Sequence, residues 1–494
     1  MKSESKSNRR TAFQLILMIV ITVLSQVLAL YKSRYTAVNF GATNYMDAYN
    51  FSLSIATFIF TFVVGGVTTV IIPAYVKKIS SRAIDTFITV TFGCVLLLTL
   101  FLILVRTPLI ALLTGREGNF LVLASDFLII SFIIQGVTAF LAVTSAYYQC
   151  TDRYNIPKMI VLLANLFVVV VLLSGFITNI YLYFFLLVLG SIINLLVDVT
   201  IAFKLGFRYR ICFDLKSPEF KQMMSIFLPT LLSSGVYKLQ SMVDTTIATN
   251  LPEGQTTILA YSTQIISMIS TIVIGNLTVY VYPKIVATLK SEHIFRYFWD
   301  YCIFFHGILV LMIASFINVG SEGLTILFLG GEFTIENVKM LFICSSLFIL
   351  GQQFNIVRDL IYRFFYANGN TQETFKNSII VSVLNVLLSL ILVIFFGIYG
   401  IILGTLVAGF VSLIMITFRF NKIFGLGVKL KVILIELTKN IVAMLGSIFL
   451  VQYIKGIFPI HSLMASITIY GLVTIVVFVF LVLIFKTRMR YIKL

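Results

Sequence analysis

Lys and Arg fall on alternate sides of a series of long apolar segments, and few folds accommodate that pattern. Fourteen such segments lie near 12–31, 50–76, 84–105, 120–148, 157–178, 180–203, 222–250, 256–283, 297–318, 337–366, 376–396, 399–418, 432–454 and 462–485. Most are about 20 residues or longer, enough to cross a hydrocarbon core about 30 Å thick at about 1.5 Å of helix rise per residue. Of the 36 basic residues, 27 sit at the two chain ends or in the even-numbered connections, in clusters such as Lys77-Lys78, Lys204 to Lys221 and Arg419 to Lys431. The odd-numbered connections hold only Lys32, Arg34, Arg106, Arg116, Lys339 and Lys455. Positive charge is retained on the cytoplasmic side of a bilayer, so both termini are expected inside. The predicted fold class is an all-α polytopic membrane protein of about 14 transmembrane helices.

An apolar fraction of 60%, a mean hydropathy of +1.05 and 11% charged residues exclude a water-soluble globule. The net charge of +17 invites a nucleic-acid reading. That reading fails because the cations are spread over eight separate patches, which topology and anionic headgroups explain. The segment 12–31 is a full-length span with no A-x-A-like exit, so no cleavable signal peptide is expected. Cys94, Cys150, Cys212, Cys302 and Cys344 are scattered, as are His293, His306 and His461, and neither set has metal-ligand or disulfide spacing. The longest outward connections, near 319–336 and 32–49, are too short for an external folded domain. No nucleophile elbow or phosphate-cradling loop occurs. The expectation is therefore a transporter and not an enzyme.

The chain repeats itself. Ala48-Tyr49 opens a helix that runs through Gly65-Gly66 to Pro73-Ala-Tyr-Val76 and Lys77-Lys78. Ala260-Tyr261 opens another that runs through Gly275-Asn276 to Pro283-Lys-Ile-Val286 and Lys290. A second echo joins Tyr148, ahead of Pro157 and Leu163-Ala164-Asn165, to Tyr366, ahead of Val383-Leu384-Asn385. Shared order and a common offset imply six spans repeated as six more in the same orientation, with two helices added. The expected divisions are an N-terminal lobe at 1–206, a C-terminal lobe at 207–425 and two additional helices at 426–494. Parallel repeats of this kind place a substrate path between two lobes. The polar, basic link near 204–221 is the expected hinge.

The stretches VDTTIATNLPEGQTTILAYSTQ (243–264), YRFFYANGNTQETFKNS (362–378) and NFGATNYMDAYN (39–50) resemble the lipid II flippase (MurJ/MviN) family. That family belongs to the multidrug/oligosaccharidyl-lipid/polysaccharide exporter superfamily. The likeness spans most of residues 20–425 and marks this chain as a divergent member. It implies a bacterial cytoplasmic-membrane flippase, working as a monomer, that moves an undecaprenyl-diphosphate-linked glycan precursor by alternating access. The cargo would be lipid II or a related surface-polysaccharide repeat unit. Membrane lipids would be the other partner, with no nucleic acid and no cofactor, and the last two helices would form a groove for the polyprenyl tail. Alternatives are a cation-coupled multidrug exporter of the same superfamily, a membrane glycan polymerase or ligase, and a non-transporting scaffold.

Carrying a diphosphate sugar head through a polar cleft avoids dragging charge through hydrocarbon, and cations in the cleft would recognise the phosphates. The candidates are the basic residues outside the topological pattern: Lys32 and Arg34 at the end of the first span, Lys238 inside the seventh and Arg358 inside the tenth. Lys32 and Arg34 could instead snorkel to headgroups, and Arg358 could pair with a carboxylate of a neighbouring helix. The resemblance implies cavity arginines on the first, second and eighth helices. The corresponding positions here are Gln26, Lys32, Phe60, Thr61 and Gln264, and only Lys32 is basic. Thr263 stands where the family has an acidic partner, and Asp47 matches a family carboxylate at the mouth of the second helix.

A second constellation concerns coupling to Na⁺ or protons. Asp244 in the seventh helix joins Asn385 and Ser389 on the eleventh, and Ile401 and Thr405 on the twelfth. A carboxylate with amide, hydroxyl and carbonyl oxygens suits a small hard cation such as Na⁺. Alternatively Asp244 pairs with Lys238, and Asn165 and Asn385 serve as interhelical hydrogen-bond partners. Glu436 and Lys439, spaced i,i+3, are expected to pair. Gly65-Gly66 is expected to permit close helix packing, and Pro73 and Pro283 to kink the ends of their helices.

Overall fold

The structure, a computed structural model, describes residues 2–76, 78–151, 153, 155–271, 294–368 and 370–488, with side chains left undescribed at 2–16, 65, 68, 76 and 228–237. Fifteen α-helices occur among the described residues. They are α1 (Lys2–Phe40), α2 (Asn44–Val76), α3 (Ser81–Leu104), α4 (Arg106–Thr114), α5 (Asn119–Cys150), α6 (Asn155–Leu173), α7 (Ile180–Lys204) and α8 (Pro218–Thr249). There follow α9 (Gln255–Ser270), α10 (Ile294–Phe328), α11 (Ile335–Ala367), α12 (Gln372–Phe396), α13 (Ile398–Phe424), α14 (Leu430–Ile457) and α15 (Leu463–Ile484). Twelve helices among the described residues are long and apolar enough to cross a membrane. Helices α8 and α9 coincide with the other two expected segments. Gly275, Asn276, Pro283, Lys284 and Lys290 lie outside the described residues. The chain is an all-α polytopic membrane protein, as lipid demands of a backbone that must satisfy its own hydrogen bonds.

Helix ends depart from the expected span ends. Helix α1 continues to Phe40 and α10 to Phe328, so the two longest expected connections shrink to 41–43 and 329–334. Hydropathy marks where a helix leaves hydrocarbon, whereas the helix itself stops only at a breaker, here the Gly41 and Gly330-Gly331 positions. The short α4 lies between the expected segments 84–105 and 120–148.

Two compact units divide the chain, Met1–Thr257 and Ile258–Leu494. In the first, α2 is the central helix and packs on α5 and α8, while α1 lies on α6, and α7 on α5 and α6. Its core is aromatic: Phe51, Phe87, Phe127, Phe132 and Phe184 are fully enclosed, with Tyr49 stacked on Phe184 at 4.3 Å. A Cβ at Gly66 would overlap the Phe227 ring of α8, so this glycine permits the α2–α8 contact. Pro73 sits inside the last turn of α2. The 205–217 link lies along α3: Asp214 N–H donates to the Thr86 hydroxyl at 3.2 Å, Cys212 N–H to the Thr89 hydroxyl at 3.3 Å, and Arg82 pairs with Asp214 at 3.2 Å.

In the second unit α10 is central, against α11, α14 and α15, and α13 joins α11 to α12. Trp299, Phe298, Phe364, Phe420 and Phe424 form its aromatic centre, and Trp299 Nε1 donates to the Leu426 carbonyl at 3.0 Å. The chain end is fastened to this unit. Glu436 holds Lys439 at 2.7 Å, the pairing expected from spacing, and accepts from the Arg488 backbone N–H at 2.8 Å. The Arg488 guanidinium reaches Asp300 at 3.5 Å, and Thr487 is enclosed. Outward-facing Leu97, Leu104, Phe185, Ile394, Phe418, Phe449 and Phe480 are exposed, as suits contact with acyl chains.

Candidate functional site

Asp47, in the first turn of α2, is 1% exposed. Its Oδ2 accepts from Gly254 N–H at 2.7 Å, and its Oδ1 from Thr257 N–H at 2.8 Å and the Thr257 hydroxyl at 2.7 Å. Those groups begin α9, so a carboxylate from one helix caps the N-terminus of another, where free N–H groups and the helix dipole favour negative charge. The exchange is mutual: Glu253 Oε1 accepts from Asn44 N–H, at the start of α2, at 2.7 Å. Gly254 has φ +86, and a Cβ there would sit 2.5 Å from the Ala42 carbonyl oxygen, so the corner requires glycine. Arg116 supports it by donating to the Leu251 carbonyl at 2.6 Å while stacking over Phe120. The connection 250–257 is thereby fastened to α2.

Among the expected cavity cations, Lys32 is half-buried on α1, and its Nζ donates to Asn165 Oδ1 of α6 at 2.7 Å. Its partner is a neutral amide. A lysine within a bilayer is costly unless it faces water, an anion or a polar partner. Arg34 is exposed, and Lys238 and Asp244 are half-buried on α8. In the second unit Gln264 is half-buried on α9. Arg358 donates through Nε and Nη2 to Asp359 Oδ1 at 3.1 and 2.9 Å and lies over the Tyr362 ring. Lys455, also outside the charge pattern, is bound by Glu322 at 2.6 Å, faces the Tyr470 ring and donates to the Asn318 carbonyl.

Four residues of the expected cation constellation meet across α12 and α13. Asn385 Nδ2 donates to the Thr405 hydroxyl at 2.9 Å, and the Ser389 hydroxyl reaches Asn385 Oδ1 at 3.3 Å and the Ile401 carbonyl at 3.4 Å. Thr405 also donates to the Ile401 carbonyl, at 3.3 Å. The fifth, Asp244, belongs to the first unit. The oxygens are of the right kind for a hard cation, and they already exchange hydrogen bonds with one another.

A cavity of about 610 Å³ opens on α14, lined by Leu430, Leu434, Ile435, Val442 and Phe485, with Thr438, Lys431 and Lys439 among them. Apolar walls with cationic members suit a lipid chain whose head carries negative charge.

Sequence reading singled out Asp47 but not its partners. Gly254 and Thr257 contribute mainly backbone N–H groups, which carry no side-chain signal. Glu253, Arg116 and the Lys455–Glu322 pair were missed because their partners lie more than a hundred residues away.

A model of the lipid II flippase MurJ family matches residues 36–488. The chain is 25% identical over 450 residues to a probable lipid II flippase MurJ of Thermotoga maritima, covering 87% of this chain and 91% of that one. It is 23% identical to the probable lipid II flippase MurJ of Rickettsia prowazekii over 81% of each chain. A solved lipid II flippase MurJ in its inward closed conformation superposes with a TM-score of 0.79 at 18% identity, covering 95% of this chain and 99% of the other. An inward-facing multidrug-resistance MATE transporter superposes with a TM-score of 0.61 at 15% identity, covering 83% of this chain and 98% of its own.

Proposed function

The chain belongs to the lipid II flippase MurJ family and is a membrane flippase of lipid-linked glycan precursors, and from that membership we propose that its cargo is an undecaprenyl-diphosphate-linked sugar unit moved head-first by alternating access. The observation that carries this reading is the reach of the family match, residues 36–488, which takes in every helix from α2 to α15. In this reading Lys32, paired only with an amide oxygen among the described residues, meets the diphosphate. The apolar cavity on α14 receives the polyprenyl tail. The charge alternation supports cytoplasmic termini, and in this reading the protein works as a single chain. Coupling to a Na⁺ or proton gradient belongs to the same reading, with Asp244 and the Asn385–Thr405 group as separate places to test it.

A multidrug exporter has the same general fold, but the MATE match leaves more of this chain uncovered than the flippase match does. The decisive experiment reconstitutes the purified protein in vesicles with fluorescent lipid II and, separately, with another polyprenyl-diphosphate glycan. Movement of lipid II, with rescue of cells depleted of their own lipid II flippase, is the expected result for lipid II as cargo. Movement of the second lipid alone reassigns the cargo, and movement of neither refutes the reading.

A further inference from the structure

Asp198 lies on α7 with 2% of its surface exposed, and its Oδ2 is enclosed with no hydrogen-bond partner among the described residues. One turn earlier on the same helix, Asn194 Oδ1 is enclosed and unpartnered in the same way. Residues four apart share a helix face. An amide oxygen and an ionised carboxylate oxygen both accept hydrogen bonds and neither donates, so two enclosed acceptor oxygens on this face lack a donor among the described residues.

The two tyrosine hydroxyls nearby have backbone acceptors. The Tyr148 hydroxyl of α5 donates to the backbone carbonyl of Asp198 at 2.9 Å and not to its carboxyl group. The Thr144 hydroxyl lies within hydrogen-bond reach of that carboxyl and also of the Leu141 carbonyl, at 3.1 Å, with one hydrogen for the two. Tyr147 donates to the Leu205 carbonyl at 2.9 Å. Arg153 acts on Tyr148, and α6, which also packs on α7, has Lys158 as its single ionisable residue. Among the described residues neither cation pairs with Asp198.

An ionised carboxylate with one enclosed oxygen lacking any donor and with no counter-ion among the described residues is costly. Uptake of one proton by the carboxylate removes the charge and converts an acceptor into a donor, which the neighbouring Asn194 or Thr144 oxygen can accept. The proton is also the one cation that needs no space, and a water-sized probe reaches neither oxygen. Sodium with its several oxygen ligands would not fit. We propose that Asp198 is a proton-binding site of the first unit, occupied at neutral pH. The proposal does not depend on the cargo.

Infrared spectra of the full-length protein in lipid nanodiscs test it directly, because a protonated carboxyl has a C=O band that ionisation abolishes and D₂O shifts. The expected result is such a band in the wild type at neutral pH, absent from Asp198→Asn and unchanged by Na⁺. Should Asp198→Asn fail to fold, Thr144→Val supplies the assignment by displacing the band, since it alters the polar neighbour of the carboxyl. Identical spectra for wild type and both variants overturn the proposal, as does a band that changes with added Na⁺.

Discussion

Replacing Asp47 by Ala removes three hydrogen bonds and leaves the Gly254 and Thr257 amides of a buried corner without an acceptor. Hydrogen bonds to a charged group contribute about 1.5–3 kcal/mol each, and a lost helix cap costs about 0.5–2 kcal/mol. The two figures describe overlapping groups, so they do not add, and a local loss of about 3 kcal/mol follows. At about 1.4 kcal/mol per factor of ten, the amides of 250–258 should lose about 100-fold in protection against hydrogen exchange. Asp47→Asn keeps one acceptor oxygen and loses the charge, which places it near a tenfold loss, about 1.4 kcal/mol. The assay is hydrogen–deuterium exchange with peptide mass spectrometry on the protein in lipid, with α5 peptides as the internal reference. Equal protection of 250–258 in wild type and Asp47→Ala refutes the capping reasoning, and so does an equal loss in every peptide.

Three further outcomes are expected. Lys32→Ala should slow vesicle flipping by about 10- to 100-fold, the worth of one charged hydrogen bond to phosphate, at unchanged membrane abundance, and a wild-type rate removes Lys32 from the cargo path. Gly66→Leu should destabilise the protein by about 1–3 kcal/mol in thermal melts through overlap with Phe227, and Phe227→Ala in the same chain should recover part of it; no recovery sinks the assigned contact. Asn385→Ala and Thr405→Val should each cost about 0.6–2 kcal/mol, with the double variant costing less than their sum. Strict additivity would show that the two side chains do not interact.

The helical architecture was legible because hydropathy and the positive charge pattern are both written residue by residue, and all fourteen expected segments meet a helix. Helix ends were less legible: nothing in the composition of 32–40 or 319–328 announces that the helix outlasts the hydrocarbon. The Asn385–Thr405 group could be read from i,i+4 spacing on adjacent spans. Asn165 could be read as a polar contact, but not as the one that takes Lys32, since the two are 133 residues apart. Asp47 stood out by resemblance, yet its chemistry is with backbone N–H groups, which every residue but proline shares. Asp198 is a carboxylate inside the expected span 180–203, a signal that sequence reading passed over. Its distinction is an enclosed oxygen with no donor among the described residues, and only coordinates show that.

The fastening of Arg488 to Glu436 and Asp300, beside the enclosed Thr487, bears on how this protein is handled at the bench. Reporter fusions are commonly joined just after a final transmembrane helix to map sidedness. A junction made at 485 would strip away that clasp and leave Glu436 and Asp300 without their Arg488 partner, so the reporter would sit on an altered helix end. Joining the reporter beyond Arg488 leaves the clasp closed.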